Sequence, residues 1–88
     1  MKIKQIYYSN KFAKCFKKIN QKDRLLIDKR EKIFKQNPFD PKLKTHKLTG
    51  KLKEFWAFSI THSERIMFAF IEDNSVMFLE VGGHEIYK

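Results

Sequence analysis

Apolar positions along this chain follow two rhythms, one of period two and one of period three to four. The first dominates EFWAFSITHSERIMFAFIEDNSVMFLEVGGHEIYK, from Glu54 to Lys88. Aromatic and β-branched residues alternate there in three runs, Glu54–Ile60, Arg65–Glu72 and Ser75–Val81, broken by turn formers, which predicts three consecutive strands. A two-residue loop at Asp73-Asn74 sets Glu72 opposite Ser75 and pairs Phe70 with Met77, Phe68 with Leu79 and Ile66 with Val81. One face of this ribbon is then apolar. The other holds Arg65, Met67 and Ala69, with Arg65 opposite Gly82. Aligning Trp56, Phe58 and Ile60 with the apolar face needs an odd loop, and His62-Ser63-Glu64 supplies three residues. Arg65 thereby shares a face with Ala57 and Ser59, away from the core and beside Gly82-Gly83-His84.

The helical rhythm lies upstream. Lys2–Tyr8 alternates weakly and reads as a short edge strand. Ser9 stands where an N-cap belongs, and Phe12, Phe16 and Ile19 recur at helical spacing, predicting a helix over Asn10–Ile19. After Asn20-Gln21 a second helix is predicted over Lys22–Lys35, with Leu26, Ile27, Ile33 and Phe34 inward. It stops by Gln36, because Pro38 disfavours helical geometry at Asn37 and has no N–H to donate. Asn37–Lys53 reads as a lysine-rich loop. The order β-α-α-β-β-β is that of an α+β domain, a mainly antiparallel sheet covered on one face by a helical hairpin.

Composition narrows this further. The 88 residues suffice for one domain and one modest core, and 42% hydrophobic content argues against disorder. No apolar run reaches membrane-spanning length, and MKIKQIYYSN lacks the apolar centre of a signal peptide. Cys15 is the only cysteine, so the chain holds no internal disulfide, and a reducing, cytoplasmic setting without a membrane partner is expected. A net charge of +9 suits a polyanionic partner. Three histidines and one cysteine show no metal-ligand spacing, so neither metal nor cofactor is expected, and no small-molecule ligand either.

Taken together, HKLTGKLKEFWAFSI, ERIMFAF and VGGHEIY resemble the RelE/ParE superfamily of toxins from bacterial toxin–antitoxin modules, over roughly Pro38 to Tyr87. THKLTG is similar to the YafQ branch, and the whole pattern lies nearest the YafQ and YoeB mRNA interferases. The resemblance implies a RelE-like fold over residues 1–88 and an endoribonuclease that cuts mRNA on the ribosome by attack of a 2′-hydroxyl on its own phosphate. It implies a cognate antitoxin as partner, with mRNA and rRNA as the nucleic acids bound. It assigns cleavage to His46 and His84, phosphate contact to Arg65, and a late aromatic role to Tyr87. Imidazoles suit the proton transfers, since they gain and lose protons near neutrality. Lys42, Lys44, Lys47, Lys51 and Lys53 would hold the RNA backbone without reading sequence. Ala57 and Ser59 stand where RelE has two lysines, so lysine-based proton chemistry does not transfer. A ParE-like inhibitor of DNA gyrase, or a non-catalytic nucleic-acid-binding module, are the alternatives; the set His46, Arg65 and His84 separates them from the nuclease.

The plainer readings stand beside these. Arg65 is equally placed to pair with Glu80, His46 to be a loop histidine, and His84 a residue at a frayed end. Tyr87 also reads as packing, His62 as a turn residue and Glu64 as a solvated neighbour of Arg65.

Overall fold

The structure is a computed structural model that describes residues 1–87. Its elements are β1 (Gln5–Tyr8), α1 (Asn10–Lys17), α2 (Gln21–Gln36), β2 (His46–Lys47), β3 (Trp56–Ser59), β4 (Arg65–Ile71) and β5 (Ser75–Gly82). The five strands form one sheet in the order β1-β5-β4-β3-β2. β1 runs parallel to β5, and the other neighbours are antiparallel. The α+β architecture therefore matches expectation, with one strand added inside the stretch read as a loop.

Local chemistry fixes the helices. The Ser9 hydroxyl accepts from the Phe12 N–H at 2.9 Å and donates to the Leu79 carbonyl at 2.8 Å, capping α1 and tying it to β5 at once. α1 stops at Lys17, short of the expected Ile19, because the Arg24 guanidinium takes the Lys17 and Ile19 carbonyls at 2.8 and 2.9 Å. That guanidinium also lies 5.1 Å from the centre of the Phe16 ring. Asn20 caps α2 through the Asp23 N–H, and α2 ends before an extended Asn37, as Pro38 requires.

The core lies between the helices and one face of the sheet. Phe34, fully buried, stacks on Phe58 at 4.8 Å and meets Phe68 and Phe78 edge-on at 4.9 and 5.4 Å. Each such aromatic pair adds about 0.5–1.5 kcal/mol to the transfer term of its rings. β3 and β4 keep the expected parity but pair two residues away from the expected register: Trp56 is opposite Phe68, Phe58 opposite Ile66 and Ser59 opposite Arg65, whereas a His62-Ser63-Glu64 loop would have set Phe58 opposite Phe68. The loop residues are Thr61-His62-Ser63, closed by Ile60 and Thr61 N–H groups on the Glu64 carbonyl.

The β4–β5 ribbon departs from expectation. Arg65 faces Gly82 and Ile66 faces Val81, as read, but a register shift between Met67 and Phe68 pairs Phe68 with Phe78 and Phe70 with Val76. The expected pairs Phe68–Leu79, Phe70–Met77 and Glu72–Ser75 do not form. The bulge at Leu79 lets Val76, Phe78 and Val81 all reach the core, which strict alternation forbids. Asp73 and Asn74, at φ 63° and 55°, make the tight turn that permits it.

The Asn37–Lys53 segment is also more ordered than a loop. Single 3-10 turns at Pro41–Leu43 and Gly50–Leu52 flank β2, which pairs His46 with Ala57 and Lys47 with Trp56. The expected polar tail is likewise a 3-10 turn, His84–Tyr87, with Ile86 buried.

Candidate active site

Arg65 opens β4 on the face opposite the helices, between Ser59 on one side and Gly82 on the other. It is half-buried, and its Nε is enclosed without a hydrogen-bond partner among the described residues. Its guanidinium carbon lies 5.7 Å from the centre of the Tyr87 ring. The Tyr87 hydroxyl is likewise enclosed and unpartnered. The exposed His84 ring meets Tyr87 edge-on at 5.8 Å and 78°. Three of the residues singled out from the sequence thus converge around one aromatic ring.

What seats them is the turn after β5. The Glu85 carboxylate accepts from the Gly83 N–H at 3.0 Å, and the turn folds directly over the strand end. A Cβ on Gly82 would stand 2.8 Å from Glu85 Oε1 and 2.9 Å from Ile86 Cγ2, and one on Gly83 would stand 2.9 Å from Glu85 Oε2. Gly82 therefore leaves the room that buried Ile86 takes up in the turn carrying His84 and Tyr87.

Glu80 does not hold Arg65. Its carboxylate, 6% exposed, pairs with Lys11 of α1 instead. That contact raises the Lys11 pKa from its ordinary value. β1 pairs with β5 only as far as Phe78, and α1 lies against β5 as well. Arg65 itself makes no ion pair among the described residues.

His46 sits apart. It is exposed on β2, with Nδ1 3.1 Å from the Lys44 carbonyl. Register puts it on the face of Ala57 and Met67, two strands from Arg65 and two residues along, roughly 12 Å between Cα atoms. The residues between them, Ala57 and Met67, are buried. Lys42, Lys44, Lys47, Lys51 and Lys53 are all exposed, on the 3-10 turns and on β2. Glu64 points its chemistry elsewhere: burial, then a hydrogen bond shared with Asp23, pushes its carboxyl above the ordinary range. His62 is exposed in the β3–β4 turn.

Sequence reasoning missed Arg30 of α2, whose Nη1 donates to the Lys42 carbonyl at 3.0 Å. Nothing in the local sequence marked it, since α2 carries Arg24 as well. Among the described residues, no group of three or more His, Cys, Asp or Glu is placed to hold a metal ion. No helix is long and apolar enough to cross a membrane.

The sequence matches no protein-family model and no curated protein. Solved structures are more informative. The chain is similar to the YoeB/ParE toxin from Agrobacterium tumefaciens, at TM-score 0.77 and 16% identity, covering 96% of this chain and 99% of that one. It is similar to YafQ in the E. coli DinJ–YafQ toxin–antitoxin complex, at TM-score 0.75 and 18% identity over 92% of each chain. An archaeal RelE–RelB complex from Pyrococcus horikoshii aligns at TM-score 0.74 and 13% identity, over 94% and 96%. The chain has the RelE/ParE toxin fold. Within that fold the Arg65–Tyr87–His84 group stands at the end of the central strands, and His46 stands across the open face of the sheet.

Proposed function

We propose that this chain is the toxin of a toxin–antitoxin pair and an endoribonuclease acting on mRNA held in the ribosome. The observation that carries the reading is the convergence of Arg65, Tyr87 and His84 at the end of the central strands, with the Arg65 guanidinium 5.7 Å from the centre of the Tyr87 ring and in no ion pair among the described residues. A guanidinium with no carboxylate partner favours an anion beside it. A phosphate fits, because a guanidinium fork matches two of its oxygens.

In the proposed reaction the ribose 2′-oxygen attacks the adjacent phosphorus while the bond to the 5′-oxygen breaks. His46 takes the 2′-hydroxyl proton, and His84, next to the phosphate at Arg65, gives one to the leaving 5′-oxygen. Arg65 and Tyr87 stabilise the charge that builds on the non-bridging oxygens. The products are a 2′,3′-cyclic phosphate and a 5′-hydroxyl end. Lys42, Lys44, Lys47, Lys51 and Lys53 serve the RNA backbone.

The complexes in which YafQ and RelE are held by DinJ and RelB support an antitoxin partner here as well. A net charge of +9 favours an acidic one. Expression of the chain alone should arrest growth, and co-expression of the protein encoded beside it should restore it. A folded chain that arrests nothing would defeat the reading.

A further inference from the structure

We infer that Arg30, Lys42, Lys44 and His62 form a second phosphate subsite, which grips the RNA backbone next to the phosphate that Arg65 holds. This rests on the proposed nuclease reading and adds to it a binding place outside the reacting atoms.

The four side chains line one cleft of about 280 Å³ with Ser59, Ile60 and Thr61. They come from three separate parts of the chain: α2, the segment before β2, and the β3–β4 turn. Arg30 is half-buried and fixed by its bond to the Lys42 carbonyl, so its guanidinium is held in place before any ligand arrives. Lys44 is set by an uncommon backbone, φ 53°, which ends the preceding 3-10 turn and aims the chain toward β2. None of the cleft's residues is acidic, so among its lining side chains no carboxylate competes for these cations. Ser59 links the two places, since it lines this cleft and is the cross-strand partner of Arg65. Adjacent strands stand about 4.8 Å apart, so the cleft begins within roughly two strand spacings of Arg65. A strand of RNA whose phosphate lies at Arg65 therefore brings a neighbouring phosphate over the cleft.

The test uses the full chain and a short single-stranded RNA whose 2′-hydroxyls are methylated, which binds but cannot be cleaved. Fluorescence anisotropy is followed as KCl is raised, for the wild type, Arg30→Gln, Lys44→Gln and, as a control on α1, Lys14→Gln. Each lost phosphate contact should lower the slope of log K against log salt by about 0.7, which at 0.1 M salt is on the order of fivefold in affinity. Arg30→Gln and Lys44→Gln should both show this, and Lys14→Gln should not. Lys44 is exposed and makes no packing contact that the fold needs, so its variant keeps the test meaningful if Arg30→Gln melts early. Unchanged slopes in both cleft variants, or equal loss in the control, would overturn the subsite. Unchanged RNA binding with weakened binding of polyglutamate would overturn it too, and would assign the cleft to an acidic protein. Failure of the nuclease reading looks different: the cleft variants lose slope as expected, yet mRNA bound in translating ribosomes is never cut.

Discussion

Arg65→Ala separates chemistry from architecture more cleanly than any other change in this protein. Among the described residues Arg65 makes no ion pair, and Glu80 belongs to Lys11. The substitution removes one contact with the Tyr87 ring, at 5.7 Å. Such a cation–π contact near the surface is worth about 0.5–1 kcal/mol. For a domain of this size that moves the melting temperature by no more than about 8 °C, and loss of an unsatisfied Nε acts in the opposite direction. The cost to catalysis is of another order. Removing one preorganised donor from a developing oxyanion costs about 10²–10³ in rate. Arg65→Lys should recover only part of it, because an ammonium cannot span two phosphate oxygens. The assay is single-turnover cleavage of ribosome-bound mRNA beside a thermal melt of each variant. Full activity in Arg65→Ala, or loss of activity that tracks a collapsed melt, would refute the reasoning.

Phe68→Ala should behave in the reverse way, losing about 3–5 kcal/mol of stability, since its fully buried ring meets Phe34, Phe58, Phe70 and Phe78; a chemical melt measures it. Gly82→Ala should displace the final turn through the 2.8 and 2.9 Å clashes with Glu85 and Ile86, lowering activity through His84 and Tyr87 at a stability cost of about 1–3 kcal/mol. Wild-type activity in that variant would show that the turn does not set the site. Glu64 has a folded pKa above its unfolded one, so the folded state binds the extra proton and this group's contribution is lost as pH rises from the ordinary carboxylate value, 4.5, through the folded one. Melts against pH should therefore decline less steeply in Glu64→Gln than in wild type. Cleavage by proton transfer should proceed in chelator and leave a 5′-hydroxyl, which end-mapping reads; a 5′-phosphate would exclude the 2′-hydroxyl route.

The elements were legible where one pattern acts alone. Helices announced themselves by Ser9, Asn20 and Pro38, and the strands by alternation, so Arg65 was put on the face of Ser59 and opposite Gly82, though the β3–β4 register was off by two residues. The bulge was not legible, because alternation assumes one residue per pleat and Leu79 breaks that count without a glycine to mark it. β2 escaped because two residues, His46 and Lys47, cannot display a period. Within the site, Arg65 stood out by its strand face, whereas His46 was found by resemblance and lies well away from the other three. Arg30 had no local signal, since its partner Lys42 is distant in sequence and bonds through its backbone.

The pairing of β1 with β5 also governs when the molecule can exist as a finished object. The first strand is made early, but its only neighbour in the sheet is the last strand, and the Ser9 hydroxyl bonds to a carbonyl 70 residues away. During vectorial synthesis β1 waits with an open edge while the helical hairpin forms, because long-range pairing cannot begin before the later segment emerges. Tyr87 and His84 come after even that. A chain synthesised only as far as β5 would thus carry Arg65 without the Tyr87 ring beside it.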